Sequence, residues 1–291
     1  MNYVIPPVCA LFLLLVAATL VLPDEPRRAA AAGDGRYAPV NGLRMYYEVH
    51  GDASGGANGS PPLVVLHGAF GLADVAPALA KGRQVIAIEL QGHGHTADVD
   101  RPLAYEQMAD DVAALLDHLK IKRADVFGYS MGGGVGLALG IRHPDRVRKL
   151  ATFGSIAMPS KDGFEPEAWK QFQSLPADFA PPMLKAPYDK VAPDPKHWPV
   201  LVAKVKQMVI DFKGFTPEQL KSVRAHVLLT FGDRDGYRLE YAVATYKLIP
   251  NAELAVFPGA DHFLLFTAPD RLYPTIVAFL DAPAPSGNPA Q

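Results

Sequence analysis

Short apolar runs alternate with stretches of helical period along most of the chain. PLVVLHG (62–68), QVIAIEL (84–90), ADVFGYS (124–130), RKLATFGS (148–155), HVLLTFG (226–232) and AELAVFPG (252–259) are too short for buried helices and apolar at successive positions, as strands covered on both faces are. Helical patterns follow most of them, at 74–81, 105–120, 131–143, 240–248 and 270–280. Strand and helix in alternation predict an α/β fold, a mainly parallel, doubly wound sheet with helices on both faces. Ahead of it, RYAPV (36–40), Asn41-Gly42 and LRMYYEVHG (43–51) read as a hairpin, because Asn-Gly supplies the positive φ of a tight turn. The segment 52–62, rich in Gly, Ser and Pro, reads as a loop.

The alternation stops between 156 and 217. That stretch is rich in Pro and aromatics, carries helical pieces at EPEAWKQF (165–172) and HWPVLVAKVKQMVIDF (197–212), and holds both tryptophans. It reads as a helical cap inserted into a core made of 36–155 and 218–282. The last residues, 283–291, are disordered by composition. No internal repeat is visible.

Composition narrows the classes. With 49% hydrophobic and 20% charged residues the 291-residue chain is globular, and one large domain accounts for its length. A net charge of −2, with Lys and Arg scattered, gives no footprint for nucleic acid. The single cysteine, Cys9, excludes a disulfide within the chain and a CxxC metal motif. Cys9 lies in an apolar run from Val8 to Leu22, which reads as an export signal or, uncleaved, as a membrane anchor, within a leader spanning 1–35. The charge bias is reversed, since Arg27 and Arg28 follow the run and no basic residue precedes it; a mis-assigned start would leave the protein cytoplasmic.

The candidate chemistry sits at FGYSMGGG (127–134), where one serine is flanked by glycines two residues to either side. An apolar strand ends at Ser130 and a helical pattern begins at once, the strand, turn and helix context of a Gly-x-Ser-x-Gly nucleophile elbow. On these residues the chain resembles the α/β-hydrolase fold family, as a serine-nucleophile, esterase-like member, from Tyr37 to about Leu280 with the cap as its variable part. The resemblance implies the chain order Ser, acid, His. Among nine histidines only His262 lies beyond the last strand, in FPGADHFLLF. For the acid, HVLLTFGDRDGY offers Asp233 and Asp235; the family commonly places it three residues after the strand-ending glycine, Gly232, which favours Asp235 and leaves Asp233 as a turn-capping carboxylate. Asp261, beside His262, reads as an exposed loop charge.

An oxyanion needs two preorganised N–H donors. The resemblance implies one at Met131, opening the elbow helix, and the other at Ala69 in the loop His67-Gly68-Ala69-Phe70-Gly71, with Phe70 as the lesser candidate and His67 holding the loop. ELQGHGHT (89–96) resembles the family's turn after the next strand, where many relatives begin with Asp instead of Glu89; His93 and His95 lack a third ligand at suitable spacing and read as turn residues, not a metal site. No metal and no cofactor is implied. The cap aromatics Trp169, Phe172, Phe179, Trp198 and Phe212 serve either as cap core or, with Phe70, as an apolar pocket over Ser130; Trp169 and Trp198 are the pocket candidates with Phe70.

The implied activity is hydrolysis of a carboxylic ester through an acyl-enzyme on Ser130, the partner being a small apolar ester. Lactonase, carbon–carbon bond hydrolase, peptidase and cofactor-free perhydrolase share the machinery, and a ligand-binding protein on a hydrolase scaffold is the non-enzyme alternative. The membrane enters only through an N-terminal anchor.

Overall fold

The computed structural model describes residues 34–51, 61–71 and 75–283. The apolar run near the N-terminus, residues 52–60 and residues 284–291 lie outside the described residues, and with them the expected leader, much of the expected loop and most of the expected tail. Among the described residues, no helix is long and apolar enough to cross a membrane.

Eight strands form one sheet in the order β1-β2-β4-β3-β5-β6-β7-β8. β1 (Asp34–Val40) and β2 (Leu43–His50) are the expected hairpin; Asn41 at φ 47° and Gly42 at φ 83° make its two-residue turn. β2 pairs antiparallel with β4 (Val85–Ile88), and from there β3 (Leu63–Leu66), β5 (Ala124–Tyr129), β6 (Val147–Phe153), β7 (His226–Gly232) and β8 (Ala252–Phe257) run parallel. Successive residues of a strand point to opposite faces. Leu63 and Val65 therefore pack in one core cluster while Val64 and Leu66 pack in the other. α2 (Tyr105–His118) and α3 (Met131–Arg142) cover the second face; α1 (Ala76–Leu79) covers the first, joined there by the C-terminal helix. The helix expected over 74–81 shrinks to the single turn of α1, since Gly82 at φ 77° ends any helical path after it.

Between β6 and β7 lies the inserted stretch: α4 (Ser160–Gly163), α5 (Pro166–Gln173), α6 (Pro182–Val191), a 3₁₀ turn (Pro195–His197), α7 (Trp198–Asp211) and α8 (Pro217–Lys221). The two expected helical pieces are α5 and α7. α6 is an addition, hidden in the sequence because Pro187 sits inside PMLKAPYDKV, where an interior proline argues against a helix. The chain closes with α9 (Leu239–Leu248), α10 (Leu264–Thr267) and α11 (Pro269–Asp281). Lys149 of β6 is wholly buried, and its Nζ donates to the carbonyls of Phe279 (2.7 Å), Leu280 and Ala282, so a buried cation satisfies the last carbonyls of α11.

One carboxylate ties the inserted stretch to the loop after β4. Asp98, in the loop after β4, accepts from Gln91 Nε2 (2.7 Å), from His197 Nε2 (2.8 Å) and from Lys204 Nζ (2.7 Å) on α7. Burial pushes the Asp98 carboxyl up, but the hydrogen bonds from Lys204, Gln91 and His197 outweigh it and hold the group below its ordinary range.

Candidate active site

Every residue of β5 is buried, and at its end the chain reverses on Ser130, whose φ of 51° and ψ of −115° are a strained conformation for a residue with a Cβ. Such strain persists only where the surroundings enforce it. Ser130 N donates to Phe153 O (2.8 Å), and Ser130 O accepts from Gly133 N (3.0 Å) and Ser155 Oγ (2.9 Å). The glycine at 132 answers to close approach: a Cβ there would lie 2.3 Å from Leu66 O and 2.6 Å from His67 O, both backbone atoms. The elbow helix thus presses directly on the end of β3.

The loops after β7 and β8 meet this serine. Asp235 stands three residues beyond Gly232, its side chain fully buried, and both carboxylate oxygens lie 3.1 Å from His262 Nδ1. His262 follows β8 and places Nε2 3.0 Å from Ser130 Oγ. With the Nδ1 proton directed at Asp235, Nε2 is the ring's acceptor and faces the serine hydroxyl. Asp233, the alternative acid, is exposed and 3.8 Å from Arg234; Asp261 accepts from Phe263 N (2.9 Å) at the surface. The imidazole is steadied by Tyr129, whose hydroxyl donates to His262 O (3.0 Å) and whose ring centroid is 5.2 Å away. At the end of β6, where the family has an alternative acid position, Gly154 has φ 60°, and a Cβ on it would stand 2.7 Å from His262 Nδ1. A side chain at this position would collide with the ring.

The loop after β3 is fixed by His67. Its Nδ1 donates to Gly68 O (2.7 Å) and its Nε2 accepts from Leu90 N (3.0 Å), so both nitrogens are spent on backbone and burial lowers its pKa to about 4. The space a Cβ of Gly68 would take is 3.4 Å from Ser130 Cβ, which brings the loop against the nucleophile one residue before Ala69. Phe70 (φ 70°) and Gly71 (φ 83°) then turn the chain away. Met131, the other expected donor, is the first residue of α3, where backbone N–H groups are not used by the helix and the dipole is positive. His93 is buried with Nδ1 2.8 Å from Gln91 O and its ring 4.8 Å from that of His67; burial, then His67, push its pKa down to about 3. His95 pairs with Glu89 (3.1 Å) and stacks on Tyr46, so Glu89 spends its carboxylate on the turn.

The pocket candidates divide. Trp198 is 1% exposed, its indole N–H donates to Phe179 O (2.7 Å), and its ring meets Phe70 at 5.5 Å. A side chain that buried presents no face to a substrate, so Trp198 belongs to the core of the inserted stretch and Phe70 is the partly exposed member of the pair. Trp169 lies in a second ring cluster with Phe164 and Phe172, and Phe164 meets Tyr237 at 4.6 Å. Phe212 faces Tyr105 (4.7 Å) beside a cavity of about 610 Å³ in the seam between residues 100–106 and the end of α7.

Tyr237 is the site residue that sequence reasoning missed. Its ring meets His262 edge-on at 5.5 Å, and burial pushes its phenol well above the ordinary tyrosine range. The available signal was its place two residues after the acid, on the loop that delivers Asp235.

A family model described as "alpha/beta hydrolase fold" matches residues 61–186. The chain is 27% identical over 249 residues to the dihydrolipoyllysine-residue acetyltransferase component of the acetoin cleaving system of Pseudomonas putida, covering 77% of this chain. It is 42% identical over 94 residues, 31% of this chain, to 2-hydroxymuconate semialdehyde hydrolase of Pseudomonas sp. (strain CF600). The matches span 65% of the first relative's length and 33% of the second's. Among solved structures, the enol-lactonase from Burkholderia xenovorans LB400 superposes with a TM-score of 0.66 at 23% identity, over 84% of this chain and all of that one. The sheet order and the strained serine turn are those of the α/β-hydrolase fold.

Proposed function

We propose that the chain is a serine hydrolase that cleaves a carboxylic ester through an acyl-enzyme on Ser130. The observation that carries this reading is the unbroken line from Asp235 through His262 Nδ1 and Nε2 to Ser130 Oγ, with steps of 3.1 and 3.0 Å. Ser130 Oγ attacks the ester carbonyl as its proton passes to His262 Nε2, and Asp235 stabilises the imidazolium. The oxyanion takes hydrogen bonds from the N–H groups of Ala69 and Met131. The C–O bond to the alcohol then breaks, the alcohol taking the proton from His262. Water, deprotonated by His262, attacks the acyl-enzyme and releases the acid. The partly exposed ring of Phe70 beside the nucleophile loop supports an apolar acyl or alkyl group in the substrate.

A fluorophosphonate probe and a panel of p-nitrophenyl esters, lactones and amides test the reading. Labelling at Ser130 with turnover strongest on esters is expected; a folded protein that neither labels nor turns over would support a binding protein instead. The 42% identity over 94 residues to a semialdehyde hydrolase favours carbon–carbon bond hydrolysis as the second reading, and labelling without ester turnover would support it.

A further inference from the structure

Tyr129, the residue before the nucleophile, touches both loops that the chemistry needs. Its hydroxyl donates to His262 O (3.0 Å), a buried bond that ties the end of β5 to the loop after β8. On its other side is the oxyanion loop: a Cβ on Gly68 would stand 2.7 Å from Tyr129 Cδ1 and Cε1, so this ring fills the space that the glycine leaves open, one residue before Ala69. Phe153, stacked at 6.2 Å, and Phe266, edge-on at 5.5 Å, back the ring. The side chain is buried and follows directly from a strand whose residues are all buried, so it has little room to move. Burial, then the charges of Asp235 and Asp261, push its phenol well above the ordinary tyrosine range, which keeps it a neutral donor.

We propose that Tyr129 is a positioning residue that couples the two loops: its hydroxyl, by holding the carbonyl of His262, keeps the imidazole in reach of the departing alcohol, and its ring, packed against Gly68, keeps the oxyanion loop on the same serine. The proposal rests on the serine-hydrolase reading above. In acylation the imidazole must serve two oxygens in turn. The Ser130 proton goes to His262 Nε2, the Oγ–C bond forms, and the carbonyl π pair moves onto the substrate oxygen. That pair then re-forms the carbonyl, the C–O bond to the alcohol breaks with its electrons going to the alcohol oxygen, and this oxygen takes the proton from Nε2. A ring held through Nδ1 by Asp235 alone can still swing about that contact; holding the backbone of the same residue removes the freedom. Tyr129 transfers no proton at any stage and touches neither the ester nor the leaving group.

The test uses Tyr129→Phe and Tyr129→Leu in the full chain. The first removes the hydroxyl and keeps the ring against Gly68; the second removes both. Melting temperature is measured together with kcat/KM, which reports acylation, on p-nitrophenyl and alkyl esters of one acid. Tyr129→Phe should lower kcat/KM about threefold on p-nitrophenyl esters and about tenfold on alkyl esters, because p-nitrophenolate leaves without a proton and an alkoxide does not. Tyr129→Leu should cost both esters about tenfold more, since the oxyanion loop serves every leaving group alike. A tyrosine that only holds the fold would lower the melting temperature and leave the ratio of alkyl to p-nitrophenyl turnover at its native value. That unchanged ratio in Tyr129→Phe would overturn the proposal and leave the hydrolase reading intact. Tyr129→Leu no slower than Tyr129→Phe on p-nitrophenyl esters would overturn the part assigned to the ring. Native protein that cleaves neither ester and takes no fluorophosphonate at Ser130 would overturn both the proposal and the reading beneath it.

Discussion

The elbow and the inserted stretch are held by different forces. At the elbow the constraints are backbone against backbone: Gly132 has no room for a Cβ beside Leu66 O, and Ser130 N is tied to Phe153 O. The inserted stretch is held largely by side chains. Trp198 donates to one carbonyl, rings pack on rings, and Asp98 gathers His197, Lys204 and Gln91. Backbone contacts give way all at once, because bond geometry has no soft direction to yield along; side-chain contacts give way one hydrogen bond at a time. Changes at the elbow should therefore abolish chemistry, and changes in the inserted stretch should retune it.

The strongest way to break this contrast is at the triad. Ser130→Ala should lower kcat by about four orders of magnitude, and Asp235→Asn by a comparable factor because the wrong imidazole tautomer results, with both variants folded. Circular dichroism with ester turnover checks this. Residual activity in Ser130→Ala within a factor of about ten of native would mean that another nucleophile does the work.

Next in size is a pH effect on the scaffold beneath the elbow. The folded protein keeps His93 neutral to about pH 3, whereas an unfolded histidine titrates near its ordinary value of 6.5. The shift is downward, so its contribution is complete above about pH 6.5, and stability falls as pH drops through the window between the two values, where the unfolded chain binds more protons. From pH 6.5 to 4 the loss from this one group approaches about 3 kcal/mol, at about 1.4 kcal/mol per unit. Urea unfolding from pH 7 to 4 reads it, and His93→Phe should flatten the slope; an unchanged slope would assign the acid sensitivity elsewhere. Gly132→Ala comes third. Its new methyl must displace Leu66 O or His67 O, costing about 1–3 kcal/mol as overpacking does. The loop carrying Ala69 moves with those carbonyls, and kcat should fall about a hundredfold, the worth of one oxyanion donor. Native-like stability together with native-like kcat would contradict the close approach.

How far each region was legible follows from the same contrast. The alternation of strands and helices in the core, the Asn41-Gly42 turn and the meeting of Ser130, Asp235 and His262 were readable because each depends on a local pattern: apolar period, turn residues, glycine spacing, distance from a strand end. Tyr237 was not readable, since its ring contact with His262 depends on how the loops after β7 and β8 come together, and a tyrosine two residues past an aspartate carries no pattern. Lys149 was hidden for a related reason. A lysine in a strand reads as a solvated edge until α11 is known to end over it. In the inserted stretch, α6 was masked by Pro187 and the burial of Trp198 by the even chance that any aromatic there faced inward or toward the site.

The smallest effect, and the sharpest test of the side-chain half of the contrast, is Asp98→Asn. The carboxylate receives three donors, and its ionised form is favoured in the fold because its pKa is depressed; its stabilising share is thus fully present at neutral pH and lost only as pH falls through the folded value. The amide keeps one acceptor oxygen for Gln91 or His197 but turns an uncharged, donating end toward Lys204. Loss of a charge-assisted hydrogen bond costs about 1–3 kcal/mol, and Lys204 softens it by keeping its bonds to Val99 O and Arg101 O (2.9 Å each). That cost falls on the seam between α7 and the core, not on the triad. Turnover of an acetate ester should then stay within about twofold of native, while KM for bulky acyl esters shifts about threefold to tenfold and limited proteolysis within 156–217 quickens. Equal proteolysis and equal KM values across the ester series would show that Asp98 does not hold the inserted stretch. A collapse of acetate turnover would show that the two regions are not mechanically separate.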